Sequence, residues 1–131
     1  MPASVVELRA PREREHKYIL QDGIPTPVQN LMQWATWMEN HRRDSHIQSI
    51  VNGVRVSTVF LGLDFNSSSV GQPLIWETMT FCKTRISHVR LANFQWRASD
   101  KETAHRIHNA VLAILNTGYS VSWKRKRLEE L

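Results

Sequence analysis

The sequence predicts an α+β domain, a four-stranded antiparallel meander with two helices packed on one face. Three observations lead there. Residues 54–65 and 74–81 are dense in Val, Ile, Phe, Trp and Thr, side chains that fit a pleated, half-buried surface, and residues 66–73 between them (NSSSVGQP) supply turn chemistry. Asn52-Gly53 sits between two β-rich runs, where both turn positions need positive φ, the strongest short-range hairpin signal. Apolar stripes at helical spacing flank the strands instead of alternating with them. The order helix, strands, helix argues for an antiparallel sheet covered on one side and against a parallel α/β enzyme with a nucleotide crevice.

Taken in order, residues 1–17 alternate charge signs through Glu7, Arg9, Arg12, Glu13, Arg14 and Glu15, with Pro2 and Pro11 as breakers, and read as a flexible arm ahead of a single domain over residues 18–123. A short extended piece, residues 18–21, enters the turn signal Asp22-Gly23. Thr26 followed by Pro27 reads as an N-cap with proline at the first helical position, and Val28, Leu31, Met32, Ala35 and Met38, widened by Trp34 and Trp37, predict a helix over residues 27–40. Residues 46–51 form the next strand, which turns at Asn52-Gly53 into the central hairpin. With Phe65 facing Leu74, residues Val59, Leu61, Leu63, Phe65, Leu74, Trp76 and Thr78 share the core face that receives both helices. Phe60, Gly62, Asp64, Ile75, Glu77 and Met79 share the other. Alternation over residues 89–96 predicts a fourth strand within 81–99. Ser99 and Glu102 read as a capping box for a second helix with the stripe Ala104, Ile107, His108, Val111, Leu112, Ile114 and Leu115, stopped by a left-handed Gly118. Residues 119–123 alternate with period two, which predicts an edge strand, and residues 124–131 follow as a charged C-terminal tail.

Size and composition narrow the function classes. The 131 residues suffice for one domain with its own core, and the single cysteine, Cys82, permits neither an intramolecular disulfide nor a cysteine zinc site, which suits a reducing compartment. The start of the chain has no apolar core of signal-peptide length, and no run approaches the ~20 apolar residues of a membrane span, so the expected location is cytoplasmic. The net charge of +5 is unevenly placed: residues 1–77 hold seven Lys or Arg against eight Asp or Glu, whereas residues 78–131 hold ten against four. A basic half of this kind points to a polyanionic partner or to a solvated face.

Several constellations bear on chemistry. Asp64 and Glu77 fall diagonally across the expected hairpin, roughly 7 to 8 Å apart, room for a water or a metal, against the plainer reading of two solvated carboxylates. Glu102, His105 and His108 form a helical ridge with metal-ligand spacing, although His108 also falls on the apolar stripe where a hydrogen-bonded core histidine belongs. No glycine-rich phosphate loop occurs, and Cys82 beside Lys83 is an ordinary strand end. No catalytic residue, metal ligand or cofactor is assigned. The mixed face, with Phe60, Asp64, Ile75, Glu77 and Met79, is the expected protein-binding and homodimer surface. Arg85, Arg90, Trp96, Arg97, Lys124, Arg125, Lys126 and Arg127 are the expected nucleic-acid contacts, with Arg90, Phe94, Trp96 and Arg97 forming a stacking platform on one sheet surface.

The motifs DGIPTPV at residues 22–28, LMQWATWME at 31–39, VSTVFLGLD at 56–64 and WETM at 76–79 resemble a group of small proteins of tailed bacteriophages and prophages. The resemblance spans about residues 18–81, and ETAH at 102–105 is similar to the start of their last helix. The chain departs from that pattern in the loop at 66–72 and in the long basic segment after Phe81. The resemblance carries no catalytic or binding residue across. It implies a phage accessory product acting in the host cytoplasm. The favoured reading is a non-enzymatic protein whose partner is a host protein that it inhibits or redirects. The alternatives are a nucleic-acid binder using the basic half, and a small metal-dependent enzyme or virion assembly component.

Overall fold

The structure, a computed structural model, describes residues 16–68, 70–82 and 90–131. In chain order the elements are β1 (Tyr18–Gln21), β2 (Ile24–Pro27), α1 (Leu31–Asn40), β3 (His46–Val51), β4 (Val54–Phe60), β5 (Trp76–Cys82), β6 (Gln95–Ala98), α2 (Lys101–Leu115) and α3 (Val121–Glu130). Strands β3 to β6 form the expected four-stranded antiparallel meander in sequence order, and β1 with β2 makes a separate hairpin. The fold is α+β, with three helices among the described residues where the sequence predicted two.

The β3–β4 turn is as expected: Asn52 and Gly53 both take positive φ, 50° and 81°, so the two-residue turn matches the twist of the strands it joins. The Asn52 side chain also donates to the Leu115 carbonyl at 3.0 Å, pinning the turn to the end of α2. Along β4 the buried residues alternate, Val54, Val56, Thr58 and Phe60, and Trp76, Thr78 and Thr80 of β5 share their face. Two apolar clusters lie on this face. One joins Val54, Val56, Leu91, Val111, Leu115 and Leu128; the other joins Phe60, Ile75, Trp76, Ala98 and Ala104, with Trp37 and Met38 of α1 and Tyr18 and Leu20 of β1 packed against it. Ile107 touches both. Between them sits a polar belt of Thr58, Thr78, Thr80 and His108, all buried.

The hairpin register differs from the expected one. Phe60 pairs with Trp76, so both are core, and the amide of Phe65 still bonds the Leu74 carbonyl at 2.9 Å. Four residues, Leu61 to Asp64, therefore lie opposite the single residue Ile75, and the surplus of three flips the alternation. The cause is Gly62. Its φ of 69° breaks the strand, its position lies 2.6 Å from Met38 Sδ for any added Cβ, and its carbonyl accepts from Trp34 Nε1 at 2.9 Å and from the Tyr18 amide at 2.8 Å. Leu63 is consequently exposed, and Phe60 and Ile75 are buried.

The helix starts also shift. Pro25 and Pro27 belong to β2, turned back onto β1 by Asp22 and Gly23 at positive φ, and the α1 cap is Asn30, whose side chain accepts from the Gln33 amide at 2.9 Å. No residue of α1 is fully buried; Leu31 and Met32, expected in the stripe, are exposed, and Trp34, Ala35, Trp37 and Met38 form the half-buried side. Asp100, not Ser99, caps α2, accepting from the Thr103 amide at 2.7 Å, a bond that holds its carboxyl below the usual range. The expected strand at residues 119–123 and tail at 124–131 are instead α3, capped by Ser120 with its hydroxyl 3.1 Å from the Trp123 amide. Val121, Lys124 and Leu128 recur on one helical face toward the core, and Leu128 is fully buried. Asn116 at φ −85°, not Gly118, ends α2. The fourth strand is only four residues long, after a turn in which Asn93 takes φ 66°. Residues 83–89 of the expected strand, and residues 1–15 of the expected arm, lie outside the described residues, while Lys17 already bridges to Leu63.

Candidate functional site

All buried residues of the central sheet point toward the helices, and no described element packs on its second face, the open face. His46, Gln48 and Ile50 of β3, Arg55, Ser57 and Val59 of β4, Glu77, Met79 and Phe81 of β5, and Gln95 and Arg97 of β6 project from it, and none is buried. The reason is period two: once Val54, Val56, Thr58 and Phe60 face the core, the residues between them cannot.

This open face is ordered by polar contacts. One oxygen of Glu77 accepts from Gln95 Nε2 at 2.7 Å and from Arg97 Nε at 3.2 Å. The Arg97 guanidinium lies 4.6 Å from the centre of the Phe65 ring, and Arg55 lies 4.4 Å from the centre of Phe81. Cation–π pairs of this kind are worth about 0.5 to 1 kcal/mol where exposed, and they hold flat, amphipathic groups in fixed positions. His46 and Ser57 share a hydrogen bond of 2.9 Å. At the rim, His46 and Val59 also line a groove of about 400 Å³ together with Trp34, Met38, Phe60 and Arg42.

The residues singled out from the sequence are dispersed by the corrected register. Of the expected protein-binding set, Glu77 and Met79 are on the open face. Phe60 and Ile75 are core, at 3% and 0% exposure: the register turns Phe60 to the helix side opposite Trp76, and Ile75, just before β5, is buried in the same cluster. Asp64 is in the loop, its carboxylate accepting from the Asn66 and Leu74 amides at 2.8 and 2.9 Å, and Glu77 is paired opposite Val59, so the diagonal pair of carboxylates does not form. The stacking platform is split as well. Trp96 pairs with Thr78 on the core side and stacks on Phe94 at 5.8 Å, whereas Arg97 is on the opposite face. Arg90 is exposed and reaches Ser122, and Arg85 lies outside the described residues. In α3, Lys124 is buried, Arg125 pairs with Glu129 and bonds the Arg90 carbonyl, and Arg127 pairs with Glu130; Lys126 is the exposed cation without such a pair. Arg55, Phe65 and Phe81 give the open face its character, and the sides of Phe65 and Phe81 depend on the register. The alternation of residues 54–60 alone would have found Arg55.

Elsewhere, His108 is a core histidine. Its Nδ1 is 2.7 Å from Thr58 Oγ1, its Nε2 is 2.9 Å from Ser49 Oγ, and Thr58 is in turn 2.7 Å from Thr78 Oγ1. Burial, reinforced by the nearby His105, pushes the imidazole below its ordinary value, so the ring is held neutral. A serine nucleophile needs its histidine backed by a carboxylate that stabilises the imidazolium. Here that position is taken by the Thr58 hydroxyl. His105 turns its ring edge-on to Trp76 at 6.5 Å, and among the described residues no group of three or more His, Cys, Asp or Glu could hold a metal ion. Also among the described residues, no helix is long and apolar enough to cross a membrane.

No family model matches the chain, and neither the curated proteins nor the solved structures yield a match.

Proposed function

We propose that this chain is a non-enzymatic phage accessory protein that binds a host protein in the host cytoplasm and inhibits or redirects it, with the open sheet face as the contact surface. One observation carries the reading. Two arginines stacked on phenylalanines flank Met79 and Val59 on a face that no described element covers, a combination of aromatic, Arg and Met side chains that marks interface cores. Arg97 is balanced by Glu77, whereas the Arg55 guanidinium has no carboxylate partner among the described residues. The complementary partner therefore presents a carboxylate to Arg55 beside apolar side chains for Met79, Val59 and the adjoining groove. A phosphate backbone fits less well, since Glu77 lies in the middle of the face and most cations of α3 are already engaged.

The test is affinity capture from nuclease-treated host lysate, followed by titration of the purified partner. Arg55→Glu and Phe65→Ala should each weaken binding at least about tenfold, the loss expected for an interface anchor worth more than 1.4 kcal/mol. Lys126→Glu should leave it unchanged. Capture that survives both open-face substitutions, or that disappears with nuclease, refutes the proposal, the second outcome in favour of nucleic acid.

A further inference from the structure

Among the described strands β3 is an edge of the sheet, and its outer side has the features of a pairing surface. In the β3–β4 ladder the Phe60 amide bonds the Ser45 carbonyl at 2.9 Å. Bonded pairs alternate in an antiparallel ladder, so Ile47, Ser49 and Val51 turn their main-chain groups toward β4, consistent with Val51 and Val54 closing the two-residue turn. His46, Gln48 and Ile50 then direct their N–H and C=O groups outward, and no hydrogen bond to those groups comes from a described residue. All three are exposed, Ile50 by 53%.

Proteins blunt such an edge with charge, proline, brevity or a bulge. The opposite edge follows that rule: β6 is four residues long and carries Arg97. Strand β3 does not. Its sequence HIQSIV runs six residues without a charged side chain or proline, in a chain that is 22% charged, and its ladder with β4 has no bulge.

We infer that β3 pairs antiparallel with β3 of a second copy, joining two four-stranded sheets into one of eight strands. The geometry selects the register. Residues directly opposite each other must share a face and must both direct main-chain groups outward. Placing Gln48 opposite the partner's Gln48 puts His46 opposite the partner's Ile50 and satisfies all the outward groups of both strands. The side chains agree with this. The two Gln48 amides can bond each other across the axis, and no like charges meet. A twofold axis normal to the sheet keeps the helices of both copies on one side, so Ile47 and Ser49, beneath α2, meet their counterparts there. The open faces of the two copies become one continuous surface. The inference concerns the edge and holds whatever the open face binds.

Gln48→Pro removes an outward donor without touching the ladder to β4, and Gln48→Lys places two cations opposite each other on the axis. By sedimentation the wild-type chain should be a dimer, and both variants should be monomers with the wild-type circular dichroism spectrum. Hydrogen exchange on the wild type should show the Gln48 and Ile50 amides slowed severalfold in the concentrated, dimeric sample relative to the dilute one, a readout that stands even if a variant fails to fold. A wild-type chain that stays monomeric, a folded variant that remains dimeric, or a dimer whose Gln48 and Ile50 amides exchange as fast as in the monomer overturns the inference.

Discussion

The polar belt through the core should make Thr58 far more important than its size suggests. Thr58→Val keeps the shape of a fully buried side chain and removes one hydroxyl, which bonds both His108 Nδ1 and Thr78 Oγ1 at 2.7 Å. Each buried group left without a partner costs about 1 to 3 kcal/mol, and the added methyl returns about 0.8 kcal/mol. With two groups stranded, the net expectation is a loss of about 1 to 5 kcal/mol, a large share of the ~5 to 15 kcal/mol that stabilises an ordinary domain. With a urea dependence of about 2 kcal/mol per molar, the unfolding midpoint should fall by about 0.5 to 2.5 M. Thr78→Val removes only the end of the chain of bonds, leaves Thr58 on His108, and should cost about 1 kcal/mol. In the double variant the Thr78 hydroxyl is no longer stranded, so the combined loss should be smaller than the sum by about 1 kcal/mol or more. Urea unfolding followed by tryptophan fluorescence measures all three. A Thr58→Val midpoint within error of wild type, or strictly additive losses, refutes the view that this belt acts as one network.

Three further outcomes are expected. Because His108 is held neutral in the folded state, its unfolded form binds a proton first as pH falls below the ordinary value of 6.5. Stability should be level above that pH and decline beneath it, by at most about 1.4 kcal/mol per pH unit, and urea midpoints of His108→Gln should lose this slope. Gly62→Ala should lower the melting temperature, since a Cβ there meets Met38 Sδ at 2.6 Å and Trp34 Nε1 at 3.0 Å on a residue at φ 69°, an overpacking and backbone cost of about 1 to 3 kcal/mol. Leu128→Ala should cost about 2 to 5 kcal/mol in the same melts, as for a buried leucine, whereas a solvated tail would show no change.

How far the sequence reveals the fold depends on how local each signal is. The Asn52-Gly53 turn, the strand on either side of it and the stripe of α2 rest on neighbours in sequence, and the structure has each of them. The caps of α1 and α2 were misplaced by a few residues or one, since Thr26, Asn30, Ser99 and Asp100 are all competent caps and only the β1–β2 pairing and the Thr103 bond decide between them. Helix α3 was hidden for a different reason. Its ten residues include Lys124, Arg125, Lys126 and Arg127, and a helix this polar becomes legible only when Leu128 finds the cluster around Val111 and Leu115.

The site was the least legible part because it is defined by parity. A single glycine, pressed against Met38 and Trp34 from a helix twenty-odd residues earlier, inserts an odd surplus into one arm of the hairpin, and every side chain between Phe60 and the loop changes sides. The expected face kept Glu77 and Met79 because they lie on β5, after the break, and lost Phe60 because it lies on β4, before it. Trp96 and Arg97 were separated by the simpler fact that adjacent strand residues point oppositely. What the sequence did contain is the alternation of β4 itself: Val54, Val56 and Thr58 inward requires Arg55, Ser57 and Val59 outward. Pairing then sets Phe81 opposite Arg55 and Glu77 opposite Val59. The open face thus follows from two short strands and one register, and a substitution that restored continuous pairing at Gly62 would change which residues it presents without altering any of them.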